Sequence, residues 1–98
     1  MYGTVARMRV KPGMEADFQR LAREMEEAFE PDGFITTYVY QMDKDSREFY
    51  LAVVFESREQ YFANAESPEQ HAQFLRLMTV LEQEPEWHDG EIVYSRLS

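Results

Sequence analysis

The sequence predicts an α+β fold of ferredoxin-like topology, with the element order βαββααβ and a four-stranded antiparallel sheet. Apolar residues alternate along the chain between a spacing of two, typical of strands, and a spacing of three to four, typical of helices. Turn and cap residues stand at each change of spacing. At 98 residues the chain has the size of one domain, so we assign residues 1–98 to a single unit.

The first strand and the first helix have the clearest patterns. Residues 4–10 alternate, with Ala6 and Met8 on one face and Arg7 and Arg9 on the other. Lys-Pro-Gly at residues 11–13 is a turn signal, and apolar residues then recur every three or four positions over residues 14–29. Pro-Asp-Gly at residues 31–33 ends this amphipathic helix.

The central part of the chain predicts a β-hairpin. Residues 34–42 and 48–55 are rich in β-branched and aromatic side chains, and a polar turn at residues 43–46 separates them. We place Phe34, Tyr38 and Tyr40 on one face of the second strand, and Ile35 and Val39 on the other.

Two short helices and a last strand complete the prediction. Ser57 has the spacing of an N-cap residue with Gln60, and Ser67 followed by Pro68 repeats the signal at the next helix. We expect the second helix to end near residue 65 and the third to end before Pro85. Asp-Gly at residues 89–90 then predicts a turn, and residues 91–96 predict the last strand.

Composition excludes several classes of function. The chain has 19 acidic and 10 basic residues, a net charge of −9, and no cysteine. This charge disfavours nucleic acid and anionic membranes as partners, and the lack of cysteine excludes disulfides, thiolate catalysis and thiolate metal sites. With only two histidines we predict no dedicated metal site. The N-terminus has the pattern of a strand and not of a signal peptide, so we expect a cytoplasmic protein.

The third strand is apolar on both of its faces. Phe49, Leu51 and Val53 alternate with Tyr50, Ala52 and Val54. In this topology the helices cover one face of the sheet, so the other face needs a second cover. A second copy of the same sheet is the simplest candidate, and we predict a homodimer; a monomer whose tyrosines and threonines tolerate exposure is the alternative.

These signals together resemble the antibiotic biosynthesis monooxygenase (ABM) superfamily, the dimeric α+β barrels. The resemblance covers the whole chain and is carried by the turns at residues 11–13 and 32–34, the segment at residues 55–59 and the segment at residues 67–71. It implies a ligand site between the helices and the sheet of each subunit. Members include cofactor-free monooxygenases that oxidise polycyclic phenols or quinols with molecular oxygen, haem-degrading proteins, and many proteins without an established activity.

The haem-degrading branch matches this chain poorly at its functional positions. Its iron-ligating histidine falls on Phe74, its pocket tryptophan on Asn64 and its catalytic asparagine on Ala6. The histidine of many quinol-oxidising relatives also falls on Asn64, and a tryptophan common at the end of the third strand falls on Phe55. We therefore predict no cofactor and disfavour haem.

Three polar residues are the candidate catalytic groups of a small aromatic ligand site: Tyr61, Asn64 and His71. Tyr61 and Asn64 share a helix face, and His71 is either a general base in the pocket or a half-exposed histidine at a helix N-terminus. The predicted substrate-binding residues are Ala6, Tyr38, Tyr40, Phe55, Phe74 and Trp87. The leading hypothesis is cofactor-independent oxygenation of a phenol or quinol, and the alternatives are a catalytically silent binding or stress-related module and haem binding.

Overall fold

The computed structural model describes residues 1–98 and contains one four-stranded sheet with three helices. The elements are β1 (Tyr2–Arg9), α1 (Glu15–Ala28), β2 (Phe34–Gln41), β3 (Glu48–Phe55), α2 (Arg58–Ala65), α3 (Pro68–Met78) and β4 (Glu86–Glu91). The strand order is β2-β3-β1-β4, and every neighbouring pair is antiparallel, which confirms the predicted ferredoxin-like α+β fold.

The core lies between the helices and one face of the sheet. Met8 and Phe49 are cross-strand partners and point toward α1, where the Phe18 ring lies 4.5 Å from the Phe49 ring, centroid to centroid. Val10 and Leu81 form an isolated bridge beyond the strand ends and are also buried. The chain therefore stays in the core after α3 ends at Met78, which lies before Pro85 as predicted.

The predicted helix caps are present. The hydroxyl of Ser57 accepts a hydrogen bond from the Gln60 backbone N–H at 3.2 Å, and that of Ser67 accepts one from the Gln70 N–H at 3.1 Å. Each bond satisfies one of the free N–H groups at a helix start, which fixes where α2 and α3 begin. None of the three helices is both long and apolar enough to cross a membrane.

An irregularity in β2 changes which of its side chains face the helices. The register against β3 shifts between Phe34 and Thr36, so Phe34 pairs with Phe55 on the helix-facing side. Beyond the shift, Tyr38 pairs with Ala52 and Tyr40 with Tyr50 on the opposite, outer face. Our grouping of Phe34 with these tyrosines was wrong, because one extra residue in a strand reverses the side on which every later residue lies.

The last strand lies five residues earlier than predicted. It spans Glu86–Glu91 and includes Asp89 and Gly90, which we had assigned to a turn. All six of its residues are exposed, because β4 is an edge strand that joins the sheet through backbone hydrogen bonds to β1. A strand that is held by its backbone does not need alternating apolar side chains. The prediction was placed too late because the apolar residues of this region lie after the strand, within residues 91–96.

The outer face of the sheet is largely apolar, and no other part of the chain covers it. Val5, Tyr38 and Tyr40 are 51%, 57% and 55% exposed. At one end of this face the charges are paired within the subunit: Arg7 with Glu48 and Glu86, and Arg9 with Asp45 and Glu82.

Candidate active site

A cavity of about 1240 Å³ lies between the helices and the helix-facing side of the sheet. Of its 32 lining residues, 18 are hydrophobic, so a ligand that fills it must present mostly apolar surface. Phe34, Leu51 and Phe55 contribute aromatic and aliphatic side chains from the sheet, and Phe74 contributes one from α3. Trp87, the only tryptophan of the chain, lines the cavity from β4. These residues can hold a flat aromatic ligand.

Tyr61 is the best-fixed polar residue of the cavity. The cap at Ser57 sets the start of α2, and the Tyr61 ring packs edge-on against Phe55 and Phe62 at centroid distances of 5.6 and 5.1 Å. Its hydroxyl donates a hydrogen bond of 2.8 Å to Asp89 Oδ1. Burial, and then the bond to Asp89, raise the pKa of the Tyr61 hydroxyl well above its ordinary value, so this tyrosine is neutral at physiological pH.

Thr4 lies beside this pair. It is the cross-strand partner of Asp89, is 5% exposed and lines the cavity. Its hydroxyl is close enough to Tyr61 to oppose part of the rise in the pKa of that residue, yet no group meets it with good hydrogen-bond geometry. A buried hydroxyl without a partner is a costly feature, and a ligand or water in the cavity would remove that cost.

Asn64 lies one helical turn after Tyr61 and also lines the cavity. Its backbone carbonyl accepts the Ser67 hydroxyl at 2.7 Å, which ties the end of α2 to the start of α3. Its side-chain Nδ2 is 3.5 Å from Gln70 Oε1, at the limit of a hydrogen bond, and its buried Oδ1 has no partner. The Asn64 amide therefore has unused hydrogen-bonding capacity at the cavity wall.

His71 lies in the first turn of α3, lines the cavity and is exposed. Its side chain takes part in no hydrogen bond or ion pair within the chain. The structure therefore places it at the rim of the cavity, in contrast to the buried Tyr61.

The structure brings together six of the nine predicted site residues. Tyr61, Asn64, His71, Phe55, Phe74 and Trp87 all line the cavity. Ala6 does not, because it is fully buried in the core below it. Tyr38 and Tyr40 do not line it either, because the irregularity in β2 turns them to the outer face.

Sequence analysis missed Asp89 and Thr4. Asp89 precedes a glycine, which is the pattern of a turn, and Thr4 is a common residue in any strand. Only the pairing of β4 with β1 places Asp89 opposite Thr4, within hydrogen-bonding distance of the Tyr61 hydroxyl. Their proximity follows from a register that no local pattern encodes.

Solved structures share this fold. A variant of SnoaB, a cofactor-independent oxygenase from Streptomyces nogalater, superposes with a TM-score of 0.84 at 14% identity, over 96% of this chain and 94% of that one. A candidate antibiotic biosynthesis monooxygenase from Bordetella bronchiseptica gives 0.83 at 18% identity, over 95% and 97% of the two chains. A conserved protein from Methanosarcina mazei gives 0.78 at 22% identity, over 91% and 89%. At these identities the likeness establishes the fold alone.

Family membership rests on sequence. No curated protein matches the chain. The family model described as antibiotic biosynthesis monooxygenase matches residues 1–77, which is more than three quarters of the chain. The protein therefore belongs to the antibiotic biosynthesis monooxygenase family.

Proposed function

We propose that this protein is a homodimeric, cofactor-independent monooxygenase that acts on a small aromatic or polycyclic phenol or quinol. The observation that carries the proposal is the aromatic cavity in which the Tyr61 hydroxyl is held by Asp89 beside unpaired polar groups of Thr4 and Asn64. An apolar space with a few fixed polar groups is typical of sites that bind and orient a small molecule. The cofactor-independent oxygenase SnoaB, which has the same fold, supports the proposed reaction class.

Oxygenation of this kind needs no external reductant when the substrate is electron-rich. Anthrone, a tricyclic ketone that interconverts with a phenol, shows the balance. Its ring CH₂ becomes a carbonyl that retains one atom of O₂, and the second oxygen atom leaves as water with the two hydrogens. The substrate supplies all the electrons, so the protein has to bind it, exclude water and accept the proton that it loses.

The polar residues have distinct parts in this proposal. Tyr61 is neutral and donates its proton to Asp89, so it presents an acceptor oxygen to the ligand and keeps the carboxylate in place. Asn64 offers an amide group that can bond a ligand oxygen. His71, at the rim, offers an exposed imidazole to a ligand at the mouth of the cavity.

A second copy of the chain is the proposed cover of the outer sheet face. Val5, Tyr38 and Tyr40 are more than half exposed there, and Tyr50, Ala52 and Val54 follow them along β3. The ion pairs of Arg7 and Arg9 neutralise the charges at one end of the face within each subunit. An apolar, internally neutralised sheet face suits association with an identical face about a two-fold axis.

Aerobic incubation with anthrone tests the activity. We expect oxygen uptake and formation of anthraquinone, with one label from ¹⁸O₂ in the product carbonyl. Tyr61→Phe keeps the ring contacts with Phe55 and Phe62 but removes the hydroxyl, and we expect it to lower turnover at least about tenfold.

Tyr38→Phe is the matched control, because it removes the same atom on the outer face of the sheet and should leave turnover unchanged. Equal effects of the two changes would contradict a role for the Tyr61 hydroxyl. Anthrone binding without turnover in the unmodified protein would instead identify the chain as a catalytically silent binding module.

Haemin addition tests the haem alternative. His71 is the only histidine that lines the cavity, it is exposed at the rim, and Phe74 faces the cavity one turn later on the same helix. This donor set fits a haem iron poorly, so we expect no shift of the Soret band when haemin is mixed with the protein. A saturable shift that disappears in His71→Ala would establish a haem site.

A further inference from the structure

We propose that Asp89, held by Tyr61, makes this cavity selective for neutral aromatic ligands that carry a hydroxyl group, and against aromatic carboxylates of the same size. This inference rests on the proposed function, since it requires that an aromatic ligand enters the cavity. It names Asp89 as the residue that distinguishes between ligands. The property that it distinguishes is whether the ligand is a neutral hydrogen-bond donor or an anion.

The hydrogen bond between Tyr61 and Asp89 determines what the pair can offer. Tyr61 has one hydroxyl proton and donates it to Asp89 Oδ1 at 2.8 Å. This is the one hydrogen bond that the Asp89 carboxylate accepts within the chain, and it leaves Oδ2 free. An ionised carboxylate only accepts, and a tyrosine oxygen whose proton is already donated also only accepts. A ligand that meets this pair must therefore supply the proton of the hydrogen bond.

Thr4 provides an independent indication that the pair faces a ligand. The residue is 5% exposed, lies across the strand pair from Asp89 and lines the cavity, yet its hydroxyl makes no hydrogen bond of good geometry. A hydroxyl can donate and accept, so Thr4 can complete the bonding of a ligand oxygen that donates to Asp89. Buried polar groups are rarely left unpaired in the functional state of a protein.

The other charged residues of the cavity lining also disfavour an anionic ligand. Besides Asp89, the lining includes Glu26, Glu27 and Glu30 near the end of α1, against the single basic residue Arg23. The chain as a whole carries a net charge of −9. An anionic ligand therefore meets a lining with an excess of acidic residues, and close to Asp89 it meets a like charge.

Binding of 2-naphthol and 2-naphthoate, measured by calorimetry at neutral pH, tests the inference. The two ligands share a ring system, but the first is neutral and the second is anionic at this pH. We expect the unmodified protein to bind 2-naphthol at least about tenfold more tightly than 2-naphthoate.

Asp89→Asn should remove this preference. The amide can still accept from Tyr61, but it presents an N–H donor where Oδ2 accepted, and it carries no charge. We expect the ratio of the two affinities to fall at least about tenfold. Glu91→Gln is the control: it removes the same charge from the same side of β4, outside the cavity lining, and should leave the ratio unchanged. The circular dichroism spectrum of each variant checks that it is folded.

The outcomes separate this inference from the function on which it rests. Equal binding of both naphthalenes, or equal effects of Asp89→Asn and Glu91→Gln, would overturn the role of Asp89 and leave an aromatic ligand site in place. Binding of neither ligand to any variant would refute the proposed function, and the inference with it.

Discussion

Replacement of Val5 by aspartate is expected to convert the proposed dimer into monomers. Val5 lies on the outer sheet face between Ala52 and His88 and is 51% exposed in the single subunit, so the change should leave the isolated fold intact. In the dimer, the same position would bury a short carboxylate in each copy, and Arg7 nearby is already paired with Glu48 and Glu86. An unpaired buried charge costs about 4 kcal/mol, so one of the two carboxylates alone raises the dissociation constant of the dimer about 1000-fold.

Sedimentation velocity measures this effect directly. We expect the unmodified protein to sediment at twice the subunit mass of 11.7 kDa, and Val5→Asp to sediment at the subunit mass. Val5→Thr has nearly the same shape, favours strands and carries no charge, so it should remain dimeric. A monomeric unmodified protein, or an aspartate variant that still dimerises, would show that the outer face is not the contact surface.

Replacement of Gly3 by alanine is expected to lower the free energy of unfolding by about 3 kcal/mol. Gly3 lies in β1 between β3 and β4, and a methyl group built on it would overlap the backbone carbonyl oxygen of Val53. A backbone atom in the middle of a sheet cannot move aside without breaking strand pairing. The substitution should therefore loosen the pairing of β1 with β3, and denaturant unfolding monitored by circular dichroism measures the loss.

Gly90→Ala is the matched control for this experiment. Gly90 is the direct cross-strand partner of Gly3, and a methyl group there meets nothing within 4 Å. Alanine restricts the unfolded chain more than glycine does, so this variant should be unchanged or more stable by about 0.5 kcal/mol. If both variants lost the same stability, the loss at Gly3 would come from replacing any glycine in a strand. It would then not come from the contact with the Val53 carbonyl oxygen.

Local signals in the sequence were sufficient for most of the fold. The caps at Ser57 and Ser67 and the change of apolar period after Val10 depend on neighbours a few residues away, and the structure confirms them. The face of Tyr38 and the position of β4 depend on partner strands that are distant in sequence. A one-residue irregularity and a backbone-paired edge strand leave little trace in the pattern of side chains.

In the candidate site too, the residues that are close in sequence could be predicted together, and those joined only by strand pairing could not. Tyr61 and Asn64 could be placed together because they lie on one helix face, within a single turn. Asp89 and Thr4 are 85 positions apart in the chain, and only the pairing of β4 with β1 joins them. Sequence patterns thus predicted several of the side chains that line the cavity, whereas Asp89, the residue that we propose distinguishes ligands, could be found only from the structure.

The position of Trp87 and Asp89 on an edge strand has a consequence for how the ligand preference of this protein can change. Both residues lie beyond residues 1–77, the part that the family model matches, and neither belongs to the buried core. Substitutions at Trp87 can alter the shape of the cavity at little cost in stability, since β4 is held through its backbone. At Asp89 the same holds only for side chains that still accept the hydrogen bond of the buried Tyr61 hydroxyl. New ligand preferences can therefore arise by drift along one solvent-exposed strand, while selection for a stable fold acts on the remainder of the sheet.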